Sequence, residues 1–353
     1  MPEQNKYHGM KQVFSTGTIV FRMAVAMLFG MSFVQAQQAK QWVTYEGAGG
    51  PGKGKHIVLI SGDEEYRSEE ALPMLGKILA RTYGFTCTVL FAIDPKTGYI
   101  NVETLDNIPG LEKLQNADLM VMFTRFRELP DEQMKYIDDY LRKGKPVMGI
   151  RTATHAFNYK KNMSSRYVKY TFTSKEKGWE DGFGRKILGE TWISHHGKHG
   201  NEGTRGLING IVKNEKNPIL NGVSDIWGPT DVYTVRKLDR DARVLVYGQS
   251  TNGLSPDSSA NLNKTIMPVA WIKDYKAENG TTGRVFTSTV GASIDLKSED
   301  LRRLFVNAAL WCVGLEDKIP EKANVDVIGD YNPTMFGYNL FQKGVLPSAY
   351  ELK

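Results

Sequence analysis

The chain holds two cysteines, Cys87 and Cys312, in 353 residues. They allow at most one disulfide, which excludes a cysteine-stapled scaffold and any cysteine-built zinc module. Dense basic runs are also missing. Lys and Arg number 45 against 39 Asp and Glu, a scattered surplus of +6, whereas a nucleic-acid binder is expected to carry a basic stripe. The apolar run from Met23 to Val34 stops well short of the roughly twenty residues of a membrane span, and no other segment approaches one. There is no internal repeat, and no His-x-Glu pair occurs. What remains is an ordinary balance of 41% hydrophobic and 24% charged residues, which excludes disorder and collagen-like fibre. The length is enough for one large domain or two ordinary ones.

Residues 1–36 have the pattern of a secretory signal. Lys6, Lys11 and Arg22 precede the apolar run, and Val34-Gln35-Ala36 offers small residues where a signal peptidase cuts. Met10 is an alternative start, and an uncleaved anchor is the alternative reading. No Cys follows Ala36, which argues against a lipid anchor. The expected location is the periplasm or the exterior, free of the membrane after cleavage. Cys87 falls in an apolar strand run and Cys312 in an apolar helix, so two buried thiols and one disulfide are both open.

Residues 37–55 are polar and Gly-rich and read as a linker. Their Gly47 to Lys53 segment superficially fits a phosphate loop, but Gly54 follows instead of Ser or Thr, and the segment precedes a strand. A strand–helix rhythm then begins. His56 to Ser61, Phe85 to Phe91, Ala117 to Phe123 and Pro146 to Ile150 are short apolar strand runs. Ala71, Leu72, Leu75, Ile78 and Leu79 mark one helix, and Met134, Ile137 and Leu141 another. This alternation predicts an α/β fold with a doubly wound, mostly parallel sheet covered on both faces. An inserted loop region, 158–209, is polar and aperiodic. Strand runs return at Ala242 to Gly248, Met267 to Ile272 and Gly283 to Val290, and Ser298 caps a last helix. Residues 56–315 form the domain. Residues 316–353 read as a tail packed on it, with docking of a partner through Tyr331, Phe336, Tyr338 and Phe341 as the alternative.

In such a sheet, ligands bind beyond the carboxyl ends of the strands. Three consecutive strand exits carry charge there: Asp63, Glu64 and Glu65 with Tyr66; Arg125 and Arg127; and Arg151 with His155. The arginines suit carboxylate or polyol oxygens; equally, the acids and arginines read as a structural ion-pair network. Four of the six histidines lie between 155 and 199. His195, His196 and His199 offer ligands for a divalent metal such as zinc, or groups for sugar hydroxyls or acid–base chemistry. His155 also fits a helix-start histidine satisfied by backbone. Trp192, with Trp179, Trp227 and Trp271, can stack on a sugar ring, or serve the core. Asp231 and Tyr233 close over the site or mark a strand edge.

Several strings resemble the ThuA-like, or trehalose-utilisation, family: Ser61-Gly62-Asp63-Glu64-Glu65-Tyr66, Gly149-Ile150-Arg151-Thr152-Ala153-Thr154-His155-Ala156-Phe157, Asn217-Pro218-Ile219 through Asp231-Val232-Tyr233, Met267-Pro268-Val269-Ala270-Trp271 and Gly283-Arg284-Val285-Phe286. They run in order from about residue 56 to 314. The resemblance implies a flavodoxin-like sheet related to class I glutamine amidotransferases and a link to carbohydrate catabolism. Three family histidines are replaced, by Arg151, Asn217 and Ala292. The elbow after the fourth strand holds no Cys, and an arginine stays protonated, so glutamine hydrolysis is excluded. The expectation is an exported enzyme acting on a sugar or keto-glycoside. His155, Glu64, Glu65 and Arg151 would be catalytic. Asp63, Tyr66, Arg125, Arg127, Trp192, Asp231 and Tyr233 would hold the substrate. The alternative is a non-catalytic carbohydrate-binding or scaffold protein. The expected partner is a small carbohydrate, with homo-oligomerisation open.

Overall fold

The computed structural model describes residues 40–207 and 217–352. The signal segment therefore lies outside the described residues. One ten-stranded sheet organises the chain, in the order β1-β3-β2-β4-β5-β10-β9-β8-β6-β7. Its strands are β1 (Trp42–Tyr45), β2 (His56–Gly62), β3 (Thr86–Leu90), β4 (Leu119–Thr124), β5 (Val147–Ile150), β6 (Thr204–Leu207), β7 (Trp227–Gly228), β8 (Arg243–Ser250), β9 (Met267–Lys276) and β10 (Thr282–Ser288). The helices are α1 (Ser68–Tyr83), α2 (Asp131–Arg142) and α3 (Glu299–Cys312).

The five strands β3, β2, β4, β5 and β10 are parallel. Their near-continuous apolar character follows from burial on both faces. Alternate residues of β2 divide between two cores: Ile57 and Leu59 pack with α1 and α3, Val58 and Ile60 with α2. The sheet is mixed, however. β9, β8, β6 and β7 add an antiparallel wing on one side, and β1 pairs antiparallel with β3 on the other. The mostly parallel expectation thus applies to the central block. The short connection between β9 and β10, residues 277–281, requires an antiparallel pair, because a parallel crossover needs a dozen or more residues.

The stretch read as a linker contains β1. Val43 and Tyr45 point into the core while Thr44 faces out, an alternation hidden by the polar residues around it. The Gly-rich turn that follows covers the C-terminal end of α1: Gly52 N–H donates to the Tyr83 carbonyl at 2.8 Å. That end of a helix carries partial negative charge and repels phosphate, so its rejection as a phosphate loop has a structural reason. Both cysteines are free and buried.

Within the helices, local chemistry and packing agree. Leu72, Leu75, Ile78 and Leu79 of α1 are fully buried, each contributing roughly 2 kcal/mol of transfer free energy. Gly84 ends α1 in a left-handed turn at φ 80°, its N–H returning to Ala80, as helix C-termini commonly do. Ser298 accepts from Leu301 N–H at the start of α3. Among the described residues, no helix is long and apolar enough to cross a membrane.

The tail packs on the domain. Ala323, Val325 and Phe336 belong to the core of the α1–α3 face. Tyr350 stacks on Phe91 at 5.6 Å and accepts from the Tyr45 hydroxyl through its carbonyl at 2.8 Å. The Arg303 side chain, buried, donates to Ala323 O at 3.0 Å. Deleting the chain after Leu315 is therefore expected to abolish cooperative unfolding or solubility, read by thermal melts monitored with circular dichroism. A truncated chain melting like the full one would show that the tail packing contributes little.

Candidate active site at the carboxyl edge of the sheet

Three of the parallel strands, β2, β4 and β5, run into residues held in the left-handed region: Arg67 at φ 59°, Phe126 at φ 53° and Arg151 at φ 48°. Non-glycine residues adopt this conformation at a cost, and such strain collects at functional sites. Arg151 occupies the bend between β5 and the turn Arg151–His155. This is the elbow position where a nucleophile would stand, and here it carries a guanidinium.

That guanidinium is fully buried. Nη1 donates to the carbonyls of Asp231 (2.7 Å) and Thr289 (2.6 Å), and Nη2 to Asp231 Oδ1 (3.0 Å). The rings of Tyr66 and Tyr233 flank it, at 4.4 Å and 3.9 Å. Arg151 therefore orients Asp231 and offers little to a substrate.

Asp231 is the centre of the cluster. Its Oδ2 accepts from His195 Nδ1 at 2.8 Å, and its Oδ1 from His199 Nδ1 at 3.2 Å. His199 Nε2 lies 3.0 Å from Glu65 Oε1. A backbone zip fixes this register: Thr234 N–H donates to Ser194 O, and His196 N–H and Gly197 N–H both donate to Val232 O. Gly197 is required for the approach, since a Cβ there would lie 2.8 Å from the Cβ of Asp231. Against burial, hydrogen bonds from His195 and His199 and the Arg151 charge hold the Asp231 carboxyl well below the usual range. Hydrogen bonds to Asp231 and Glu65 push His199 up to about 9. Glu65 is lowered despite its burial, by hydrogen bonds from His199 and Tyr338.

The other predicted residues separate into organisers and rim. Asp63, fully buried, accepts from the backbone N–H of Glu65 (2.7 Å) and Tyr66 and from the Thr152 hydroxyl, so it shapes the loop after β2. Arg127 is equally buried and spends its donors on the Arg125, Val102 and Thr104 carbonyls and on Glu64 at 2.9 Å. Like Arg151, it is buried and most of its donors serve the protein's own carbonyls and carboxylates, so its place in the structure is that of a brace for these loops. Glu64 is engaged by Arg127 and, at 3.5 Å, by Arg125. His155 is buried among Phe126, Trp192, Phe172 and Tyr233. Burial, with Arg125 and Arg151 nearby, lowers its pKa well below the usual value, so it is neutral. His196 leaves the trio, its Nε2 lying 2.8 Å from the Thr265 carbonyl. The zip, with a bend at His196 and Gly197, turns His195 towards Asp231 and His196 towards Thr265.

Trp192 is the tryptophan that reaches the cluster, 5.8 Å from His195 and 5.2 Å from His155. Trp271 is buried with its indole N–H on Leu188 O, and Trp179 packs on Tyr170. The tail supplies a wall that the sequence did not signal. Phe336 sits 5.3 Å from His199, Gly337 N–H donates to Glu65 O, and the Tyr338 hydroxyl accepts from Arg125 at 2.7 Å. Nothing in the order of residues links position 338 to position 125.

Residues 57–312 match the family described as ThuA, Trehalose utilisation. The chain belongs to the ThuA family. Among solved structures, a ThuA-like protein from Parabacteroides merdae ATCC 43184 is similar at 15% identity and a TM-score of 0.47, over 81% of this chain and 98% of that one. A ThuA-like protein from Bacteroides uniformis ATCC 8492 is similar at 16% identity and a TM-score of 0.43, over 75% and 93%. No curated protein matches the chain. Asn217 caps a short turn by accepting from Ile219 N–H at 3.0 Å.

Two carboxyls at this edge, buried Glu69 and half-buried Glu64, contribute to how stability responds to pH. Burial raises Glu69 to about 8, against the attraction of Arg67, and raises Glu64 to about 7, against Arg127. The folded chain thus holds protons that the unfolded chain releases near pH 4.5, so stability falls as pH rises between those values. Urea unfolding is expected to give a lower free energy at pH 8 than at pH 5.5, and Glu69→Gln should flatten that slope. A slope unchanged by the substitution would place its origin elsewhere.

Proposed function

We propose that this ThuA-family protein is an exported enzyme acting on a small sugar or keto-glycoside, built on a doubly wound, flavodoxin-like core, and that it has no glutaminase activity. One observation carries the reading: Glu65, His199, Asp231 and His195 form a continuous hydrogen-bonded chain on an open rim walled by aromatic rings. His195 and His199 side chains are 34% and 36% exposed, while the residues that orient them are buried. Carboxylates and imidazoles in alternation suit a polyol, whose hydroxyls both donate and accept. The Trp192 and Tyr338 faces suit the apolar side of a pyranose. A substrate carbonyl placed against this rim would have an acidified neighbouring C–H, and proton-transfer chemistry there suits a rim of alternating imidazole and carboxylate groups.

The rejection of glutamine hydrolysis is supported by both thiols. Cys87 lies within β3 and Cys312 within α3, buried, and burial raises both, Cys312 to about 12. Neither is within a nucleophile's environment. The elbow arginine and the replaced histidines favour the second reading, a carbohydrate-binding protein without turnover.

Calorimetry and product analysis with trehalose and 3-keto-glycosides distinguish the two. Binding with turnover that is lost in Asp231→Asn is the expected result; binding without turnover leaves the second reading, and no binding to any such sugar removes both. Trp192→Ala should weaken sugar affinity by about five- to tenfold, the equivalent of roughly 1 kcal/mol from one aromatic contact. Export has its own check. The protein recovered from outside the cytoplasm of a producing cell should begin at Gln37 by N-terminal sequencing, and an intact Met1 on that fraction would contradict the signal.

A further inference from the structure

We infer that His195, His199 and Asp231 form a three-ligand site for one divalent transition-metal ion, with Glu65 orienting His199 from behind. The inference goes beyond the sugar reading, since it concerns what the rim binds in the absence of any sugar. Among the described residues, these three are the one group whose ligand atoms converge: an imidazole nitrogen from each histidine and a carboxylate oxygen all lie within 4.8 Å of one another.

The geometry is specific in three ways. Both histidines present the same nitrogen, Nδ1, to the same carboxylate, at 2.8 Å and 3.2 Å. Ligand atoms around a tetrahedral ion with bonds of about 2.0–2.1 Å stand roughly 3.3 Å apart, and both imidazole contacts to Asp231 fall close to that spacing. Next, the far nitrogen of His199 lies on a carboxylate, Glu65, at 3.0 Å. A carboxylate on the second nitrogen of a ligating histidine is the recurrent outer arrangement of such sites, because it fixes the ring and its tautomer. Finally, Asp231 is anchored at Oδ1 and at its own carbonyl by Arg151, which leaves Oδ2 beside His195 for the ion.

The donor set selects the ion class. Two imidazoles and one carboxylate suit zinc and its first-row neighbours, whereas calcium and magnesium prefer oxygen throughout. Arg151 is a fixed positive charge close by, and two carboxylates, Asp231 and Glu65, offset it. The partial exposure of both imidazoles leaves one side open, as in catalytic metal sites. An ion at this site would replace the hydrogen-bonded protons between the two Nδ1 atoms and Asp231, since a ligating imidazole nitrogen carries no proton. His196, turned onto Thr265, takes no part.

The test is calorimetric titration of Zn2+ into the full chain after EDTA treatment and dialysis, with Co2+ absorption in the visible range as a spectroscopic check. One ion per chain is expected. His195→Ala, at a partly exposed position, should weaken binding at least about a hundredfold, and Glu65→Gln by about tenfold with stoichiometry retained, the scale of outer-shell losses. His196→Ala should bind like the parent. Near-ultraviolet circular dichroism confirms that each variant is folded; Asp231→Asn is secondary, because it leaves Arg151 unpaired. Absence of stoichiometric binding in the parent chain overturns the inference, as does binding unaffected by His195→Ala or lost in His196→Ala. Since no sugar is present, failure of sugar turnover leaves this result untouched, and failure here leaves the sugar reading to its own assay.

Discussion

The buried contact between Arg151 and Asp231 is the constraint on which the site depends. Both groups are withdrawn from water, which alone would cost several kcal/mol. The cost is offset by excellent geometry: two carbonyls and a carboxylate for the guanidinium, and two tyrosine faces beside it. The contact joins the β5 elbow, the end of β10 and the segment carrying Asp231, three parts of the chain that are distant in sequence. Once Asp231 is held, His195 and His199 have a fixed acceptor, and Glu65 completes the chain. The positive φ at Arg151 fits this picture, because a strained residue persists where its surroundings over-determine it.

Around that contact the molecule sorts its charges by depth. Asp63, Arg127 and Arg151 are fully buried and spend their hydrogen bonds inside the protein. Glu65 is mostly covered but reaches His199, and Arg125 reaches Tyr338 of the tail. The result is an outer layer of imidazole, carboxylate and aromatic groups standing on an inner layer of braces. Such support keeps a constellation within the tolerance that chemistry requires. The switch in strand order lies between β2 and β4, whose loops carry Glu64, Glu65 and Arg125, where open α/β sheets hold their ligands.

The tail makes the family domain and its own contribution inseparable. It fills the α1–α3 core through Ala323 and Val325 and then passes over the rim through Phe336, Gly337 and Tyr338. Hydrogen bonds from the Thr334 backbone and hydroxyl to Glu70 pin its approach. A segment read as an ordered tail, or else as a partner-docking surface, is thus also part of the wall beside His199.

Strand and helix placement was legible in the sequence because it rests on local periodicity: the apolar runs of β2 to β5 and the spacing of Leu72, Leu75 and Leu79 state their own structure. The strand-exit rule also located Glu65, Arg125 and Arg151, since a parallel sheet puts those loops at one edge. The sequence by itself argued against a cysteine nucleophile, because position decides that: neither of its two cysteines falls at a strand exit. Three things only tertiary structure decided. A backbone pairing between residues 194–197 and 232–234 chose His199 over His196 as the partner of Asp231, and imidazoles so close in sequence carry no local mark of which way they face. Burial turned Arg127 and Arg151 from binders into braces, which depends on atoms from distant segments. And Tyr338 met Arg125 across more than two hundred residues, a contact set by the folded path of the chain, with no periodic signal to announce it.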